Sequence, residues 1–513
     1  MFALGVLCAM TATQAASAQP SPPATAPEGA PATPPGGARV APTLPSTLTP
    51  VAGGLTAEQV ARRVLETSLQ VRAAHANTQA AEAASTEAAL QMIPQLSLTA
   101  RYTRLSPVDL PRIGVSPGVP IFVGNRGVGC VTANGTVTAS PPGAGGTLQC
   151  PEGSTQLQQP ASPGFSFPVI LDNALIRGTL TIPISDIALR LSRVYAAAGL
   201  TAEARRLDEE AARSQAATDG RVAFYEYMRG LGQRAVAEEA LATAQAHARD
   251  LGHFVQAGTL ARVELLRVEA QVAEAERFVL AAREGVSLAE AQLRLRMHVG
   301  SDQALTLGES LEERIENPRN LNDLLSQAAH DRPEAASLER QLRALGHNLG
   351  ATRAGMLPSL AAVGNVDIAN PNQRIIPAVG EFRTTWDVSL QLSWSPTQAL
   401  VTNATANRIA AQRDALVASL EQLREGIELE LRAAYLTAQT ASSAVEVAER
   451  QVAAAEESYR VRRERFNAGV ATSSDLTDAE NDLLRARFAL VNAHVDHREA
   501  LARLRRATGR REG

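Results

Sequence analysis

Positive charge is not in excess in this sequence of 513 residues: 49 basic residues meet 53 acidic ones, for a formal net charge of -4. The electrostatic footprint that nucleic-acid binding requires is missing, so no nucleic-acid partner is expected. Lysine is absent altogether and every basic residue is an arginine; beside the abundant alanine, this points to a GC-rich coding sequence rather than to a function. Aromatic residues make up only 4% of a chain that is 45% hydrophobic. So few aromatics among dense Ala, Glu, Gln and Arg is the composition of long helices and coiled coils. Catalytic fingerprints are missing too, with no Walker loop, zinc-hydrolase motif or dinucleotide-binding glycine pattern. Gly114-Val115-Ser116-Pro117-Gly118 has the letters of a nucleophile elbow but lies in Pro- and Gly-rich text, not between a strand and a helix. His494 and His497 flank Asp496 on a polar helix, where such pairs are ordinarily solvated surface. Neither an enzyme nor a cofactor or metal is expected.

Cysteine is scarce, with three in all. Cys8 falls in a short apolar core from Phe2 to Met10, followed by Ala16-Ser17-Ala18, the small-x-small pattern of a cleaved export signal over 1–18. That core is too short to span a bilayer as a helix, and Gly5-Val6-Leu7 is a poor lipobox. In an exported chain Cys130 and Cys150 are expected to pair. The alternative is two free thiols or a metal pair, for which no His or acidic cluster is at hand. Residues 19–54 form a Pro- and Ala-rich leader with almost no charge, unable to bury a core.

What the sequence does contain is helix and a little strand. Helical periodicity runs from about Leu55 to Gln91, with Val60, Val64, Leu65 and Leu69 on one side, until Met92-Ile93-Pro94 ends it. Gln95 to Arg104 then alternates apolar and polar without a slip. The four expected strands are 96–104, 179–185, 360–368 and 386–395, separated in the first case by an outer loop over 106–177. Proline-free helix runs from Ile187 to about His253 and again from Leu400 onward. In the second stretch Ile427, Leu431, Ala434, Ala438, Ala441, Val445, Ala448 and Val452 succeed one another at coiled-coil spacing.

The chain reads as an internal duplication. Ala257-Gly258-Thr259 and its sequel match Ala468-Gly469-Val470 and its sequel, pairing Glu264 with Asp475 and Glu269 with Glu480, while Met92-Ile93-Pro94 pairs with Met356-Leu357-Pro358. Leu180 to Gly258 is about 78 positions and Leu390 to Gly469 about 79, as a structural repeat demands. Pro94 to Leu180 is about 86 against about 32 from Pro358 to Leu390, so the first half carries some fifty extra residues in its loop. The repeats expected are 55–310 and 311–509, with a tail at 510–513. Each reads helix, strand, strand, long helix, turn near 258 or 469, helix.

A soluble coiled-coil scaffold or adaptor would account for the helices but not for the strands. Four strands cannot close a membrane barrel, the smallest of which use about eight, so in lipid they must pool with other copies. Their apolar face would meet lipid and their Ser, Thr, Gln and Asp face water. Trp386 and Trp394, with Tyr102, are the candidates for aromatic girdles at the membrane surfaces.

The Met-(Ile/Leu)-Pro entries, the duplication, and above all Phe466-Asn467-Ala468-Gly469-Val470-Ala471-Thr472-Ser473-Ser474-Asp475-Leu476 resemble TolC-type outer-membrane efflux proteins from about Leu55 to Gly509. The resemblance implies a homotrimer with a twelve-stranded barrel in the Gram-negative outer membrane and an α-helical barrel through the periplasm. It implies work with a periplasmic adaptor and an inner-membrane pump of RND or ABC type, in efflux or type I secretion. Gly258, Thr259, Gly469 and Val470 would form the periplasmic tip and meet the adaptor. Carboxylates ring the aperture in family members with a constricted entrance; here the candidates are Asp475 and Asp478, one turn apart, and Glu264. Helix capping by these acids is the alternative and is compatible with that role. The arginine that some members place two residues after the turn glycine is Ala471 here, with Arg460, Arg463 and Arg465 nearby.

Overall fold

A computed structural model describes residues 50–108, 113–116, 120–142, 149–159, 162–165, 170–311, 313 and 320–509. The expected export signal with Cys8, the leader up to residue 49 and the tail at 510–513 lie outside the described residues.

The chain enters through α1 (Ala57–Thr67) and α2 (Leu69–Leu90). Thr56 and Gln59 close a capping box at the start of α1, each side chain taking the other's backbone N–H. One continuous helix to Gln91 was expected. Instead Ser68 adopts an extended backbone that ends α1, and its hydroxyl accepts from the Val71 N–H to start α2. A serine at an N-cap competes with the helix it interrupts. The second half is entered in the same way through α6 (Leu321–Asp331) and α7 (Pro333–Ala354), split at Arg332 because Pro333 favours an extended residue before it.

Nine strands are present among the described residues. The long ones are β1 (Gln95–Arg104), β7 (Asp172–Ile182), β8 (Ser359–Asn370) and β9 (Arg383–Ser393). Between β1 and β7 lie β2 (Ile113–Ser116), β3 (Val128–Thr132), β4 (Val137–Ser140), β5 (Ser154–Gln156) and β6 (Ser162–Phe165). The long strands form one antiparallel sheet in the order β1-β7-β8-β9. Two expected boundaries are corrected. The strand expected at 179–185 begins seven residues earlier and stops at Ile182, because Pro183 has no N–H to continue the ladder and Ile184 opens a helical turn, α3 (Ile184–Asp186). The one expected at 386–395 runs from Arg383 and stops at Ser393, paired with Ser359, since Pro358 and Pro396 close both sides of the ladder. The expected loop 106–177 holds β2 to β6, strands of three to five residues too short for a readable period.

After α3, a π-turn over Ile187–Leu191 leads into α4 (Ser192–Gln256), of 65 residues and so about 98 Å long. It is followed by α5 (Arg262–Met297); in the second half α8 (Pro396–Asn467), of 72 residues, is followed by α9 (Ser473–Ala507). The pairs α4/α5 and α8/α9 pack along their lengths, and α7 packs on both α4 and α8. Between Leu431 and Val452 the buried positions of α8 are all alanine, Ala438, Ala441 and Ala448, allowing helix axes to approach closely. A larger core where α1, α4, α5 and α9 meet buries Val60, Val64, Phe224, Met228, Leu293 and Val495, each worth about 1.5–3 kcal/mol.

Candidate functional site

The register of the sheet sorts its side chains. Leu98, Gly178, Val366 and Trp386 stand in one row across the four strands, and Leu180, Gly364 and Val388 in the row beside it, with Leu96 leading. Ala362 with Leu390 and Leu360 with Leu392 extend the same face. Directly paired residues share a face, so these form one surface. It is open: Leu96, Leu98, Trp386, Val388, Leu390 and Leu392 are between 70% and 78% exposed. The opposite face is polar and internally bonded. Arg177 donates from Nε and Nη2 to the two oxygens of Asp367, at 2.6 and 2.9 Å. The Thr179 hydroxyl donates to Asn365 at 2.9 Å, and Asn365 donates in turn to Asp387 at 3.0 Å, which also accepts from Arg374. β1 and β9 are the sheet's outer strands, with backbone groups along their outer edges still to be paired. Among the described residues no helix is long and apolar enough to cross a membrane.

The aromatic candidates stand on the apolar face. The Tyr102 hydroxyl donates to Asp172 at 2.7 Å, at the loop end of the sheet. Trp394 lies one residue past β9 at the helix end, and its indole N–H donates to the Met356 carbonyl at 3.3 Å. Trp386 sits within β9, opposite Val366.

At the far ends of the long helices the two glycines do the same work. Gly258 and Gly469 have φ of +72° and +75°, a region closed to most side chains. The N–H after each reaches back over five residues, from Thr259 to the Phe254 carbonyl and from Val470 to that of Arg465, both near 3 Å, the Schellman closure of a helix end. Space is free around both glycines, so backbone angle alone selects them. Asp475 occupies the third position of α9 and closes a capping box: it accepts from the Thr472 N–H at 3.0 Å and from its hydroxyl at 2.7 Å, while its own N–H donates to the hydroxyl at 3.2 Å. These bonds, helped by Arg462 and Arg465, hold its carboxyl below the usual range. Asp478 is exposed one turn further on. Glu264 is at the corresponding position of α5, 3.5 Å from Arg267.

Behind the tip, Leu251, Val268, Phe466 and Leu476 form an apolar cluster that takes in Ala471. Ala471, two residues after the turn glycine Gly469, is thus occupied in packing. Sequence reasoning missed the buried group beside it, where Glu480 lies 3.3 Å from His247 Nδ1 and accepts from Gln271 at 3.2 Å, joining α4, α5 and α9. The only signal was Glu480 itself, matched to Glu269 in the duplication. Cys130 and Cys150 are disulfide-bonded, with Cys130 wholly buried in β3. Ser116 ends β2, and Pro117 and Gly118 lie outside the described residues. His497, on α9, is held below its usual range by burial and by Arg498. Among the described residues no group of three or more His, Cys, Asp or Glu is gathered to hold a metal.

Residues 324–510 match the family described as outer membrane efflux protein. The toluene efflux pump outer membrane protein TtgC of Pseudomonas putida is 24% identical over 212 residues, 41% of this chain and 43% of that protein. The antibiotic efflux pump outer membrane protein ArpC of Pseudomonas putida gives the same identity and coverage. The chain therefore matches less than half the length of these relatives. Among solved structures, CusC has a TM-score of 0.69 at 15% identity, over 88% of this chain and 92% of that one. The open-state outer membrane channel MtrE of Neisseria gonorrhoeae has 0.67 at 16%, over 88% of each. The fold is therefore that of these outer-membrane channels.

Proposed function

We propose that this chain, whose residues 324–510 match the outer membrane efflux protein family, is a passive channel subunit of the Gram-negative outer membrane reaching into the periplasm. The observation that carries this reading is the sheet, where one face is continuous exposed apolar surface and the other a bonded polar network. A bilayer satisfies the first face and a water-filled lumen the second. The outer edges at β1 and β9 require further copies. Three chains of four strands make a twelve-stranded barrel, above the lower limit of about eight for closure in lipid.

In this reading the repeats 55–310 and 311–509 each contribute a hairpin to the barrel and a long helical pair to the duct. The turns at Gly258, Thr259, Gly469 and Val470 form the periplasmic tip and the contact for an adaptor. An inner-membrane pump supplies energy and selects cargo. Glu264, Asp475 and Asp478, repeated by symmetry, concentrate negative charge about the axis. Trp386, Trp394 and Tyr102 mark the apolar belt, and the disulfide closes the outer loop. The test is direct. The protein purified from the outer-membrane fraction should run as a heat-sensitive oligomer and conduct ions across planar bilayers; a water-soluble periplasmic species without conductance would overturn the reading.

A further inference from the structure

At its helix end the apolar face does not simply stop. A cleft of about 230 Å³ opens there, between the α3 and π-turn junction, the end of β9 and the start of α8. Trp394, one residue past β9, and Leu189, on the π-turn, border it and are both exposed. Its helix side is polar, with Asp186, Arg190, Ser395 and Gln398. Arg190 Nη2 donates to Asp186 Oδ2 at 2.8 Å. Arg190 also borders a second, larger cleft of about 570 Å³ on α7 and α8, which shares Gln398 with the first. The π-turn over Ile187–Leu191 presents this residue, and such wide turns are recurrent at functional sites.

A mainly polar cleft that adjoins an exposed apolar sheet face and holds a cation and an anion side by side matches the chemistry of one kind of molecule. We propose that this cleft seats the headgroup of a zwitterionic aminophospholipid from the periplasmic leaflet, with Arg190 taking the phosphate and Asp186 the ammonium. The guanidinium fork suits phosphate oxygens, and a tryptophan at the rim is the usual marker of the interface level. A purely anionic headgroup would satisfy Arg190 and leave Asp186 repelling it, whereas the zwitterion meets both. The inference rests on the membrane seat of the sheet.

The test uses the detergent-purified oligomer and native mass spectrometry, titrating phosphatidylethanolamine, phosphatidylcholine and water-soluble phosphoethanolamine. Wild type should retain phosphatidylethanolamine in preference to phosphatidylcholine, whose quaternary nitrogen has no N–H to donate. Arg190→Gln should weaken retention about tenfold, the scale of one charge-assisted contact. Asp186→Asn should keep retention but lose the preference between the two lipids. Equal retention by wild type and Arg190→Gln would overturn the site, and so would equal binding of the soluble headgroup, which would make it a site for a free solute. The membrane seat is read separately, since the chain has only two tryptophans. Brominated acyl chains should quench their fluorescence. Without quenching the membrane reading fails and the site with it; with quenching and an indifferent Arg190→Gln, the headgroup site alone fails.

Discussion

Glu499 on α9 shows how far a setting can move one carboxyl. Its side chain is 5% exposed, 2.8 Å from Arg503 and 3.3 Å from Arg229. Burial pushes its pKa up, a hydrogen bond shared with Glu226 adds to this, and together they outweigh the two arginines, raising it to about 7 from an ordinary 4.5. The sign follows from linkage. A carboxyl whose folded pKa lies above the unfolded one contributes stability that is fully present below about pH 4.5 and is lost as pH rises through about 7. Apparent melting temperature in detergent should therefore fall between pH 5 and 8. Glu499→Gln should flatten that slope and leave the protein more stable at pH 8; an unaltered slope would contradict the assignment. Nothing in the sequence singles Glu499 out, because its burial depends on α4 arriving from far along the chain. Gly258 and Gly469 were legible for the opposite reason: a positive φ is a local demand that leaves its mark in the local sequence.

Among the elements, β9 was the easiest to read and β7 the hardest, and the sheet explains both. In β9 Trp386, Val388, Leu390 and Leu392 alternate with Asp387, Ser389 and Gln391 along nearly its whole length, so one face is apolar and the other polar. In β7 Leu175 shares the polar face with Arg177, and Gly178 interrupts the apolar one, so the period breaks and the first six residues read as loop. The alternation makes an asymmetric prediction. Leu390→Arg, on the exposed apolar face, should cost about 2–4 kcal/mol if it lies near the bilayer midplane, seen as loss of the heat-sensitive oligomer from the outer-membrane fraction. Gln391→Arg, its neighbour on the other face, should assemble normally and alter only conductance. Equal tolerance of the two substitutions would mean that the sheet does not separate lipid from water.

At the scale of the molecule, the spacing between strand and turn was legible because helix length is geometric: about 78 residues from Leu180 to Gly258 and about 79 from Leu390 to Gly469 place both turns at a similar distance from the sheet. What occupies the tip was less legible, since Asp475 satisfies two demands at once. Its carboxylate is held by the backbone N–H and hydroxyl of Thr472, so replacing it disturbs the start of α9 as well as the charge proposed to face the passage. Asp478, exposed one turn on, carries charge without belonging to that capping box. The two can therefore be told apart. Asp478→Asn should lower cation preference and weaken block by multivalent cations, while closed-state conductance stays as in wild type. Asp475→Asn should do the same and also raise resting conductance, because the frayed helix start loosens the turn at Gly469 that it follows. Selectivity measured by reversal potential in asymmetric salt, read beside resting conductance, separates the two effects. If Asp478→Asn leaves the reversal potential unmoved, the carboxylates at this end serve the helix and not the passage.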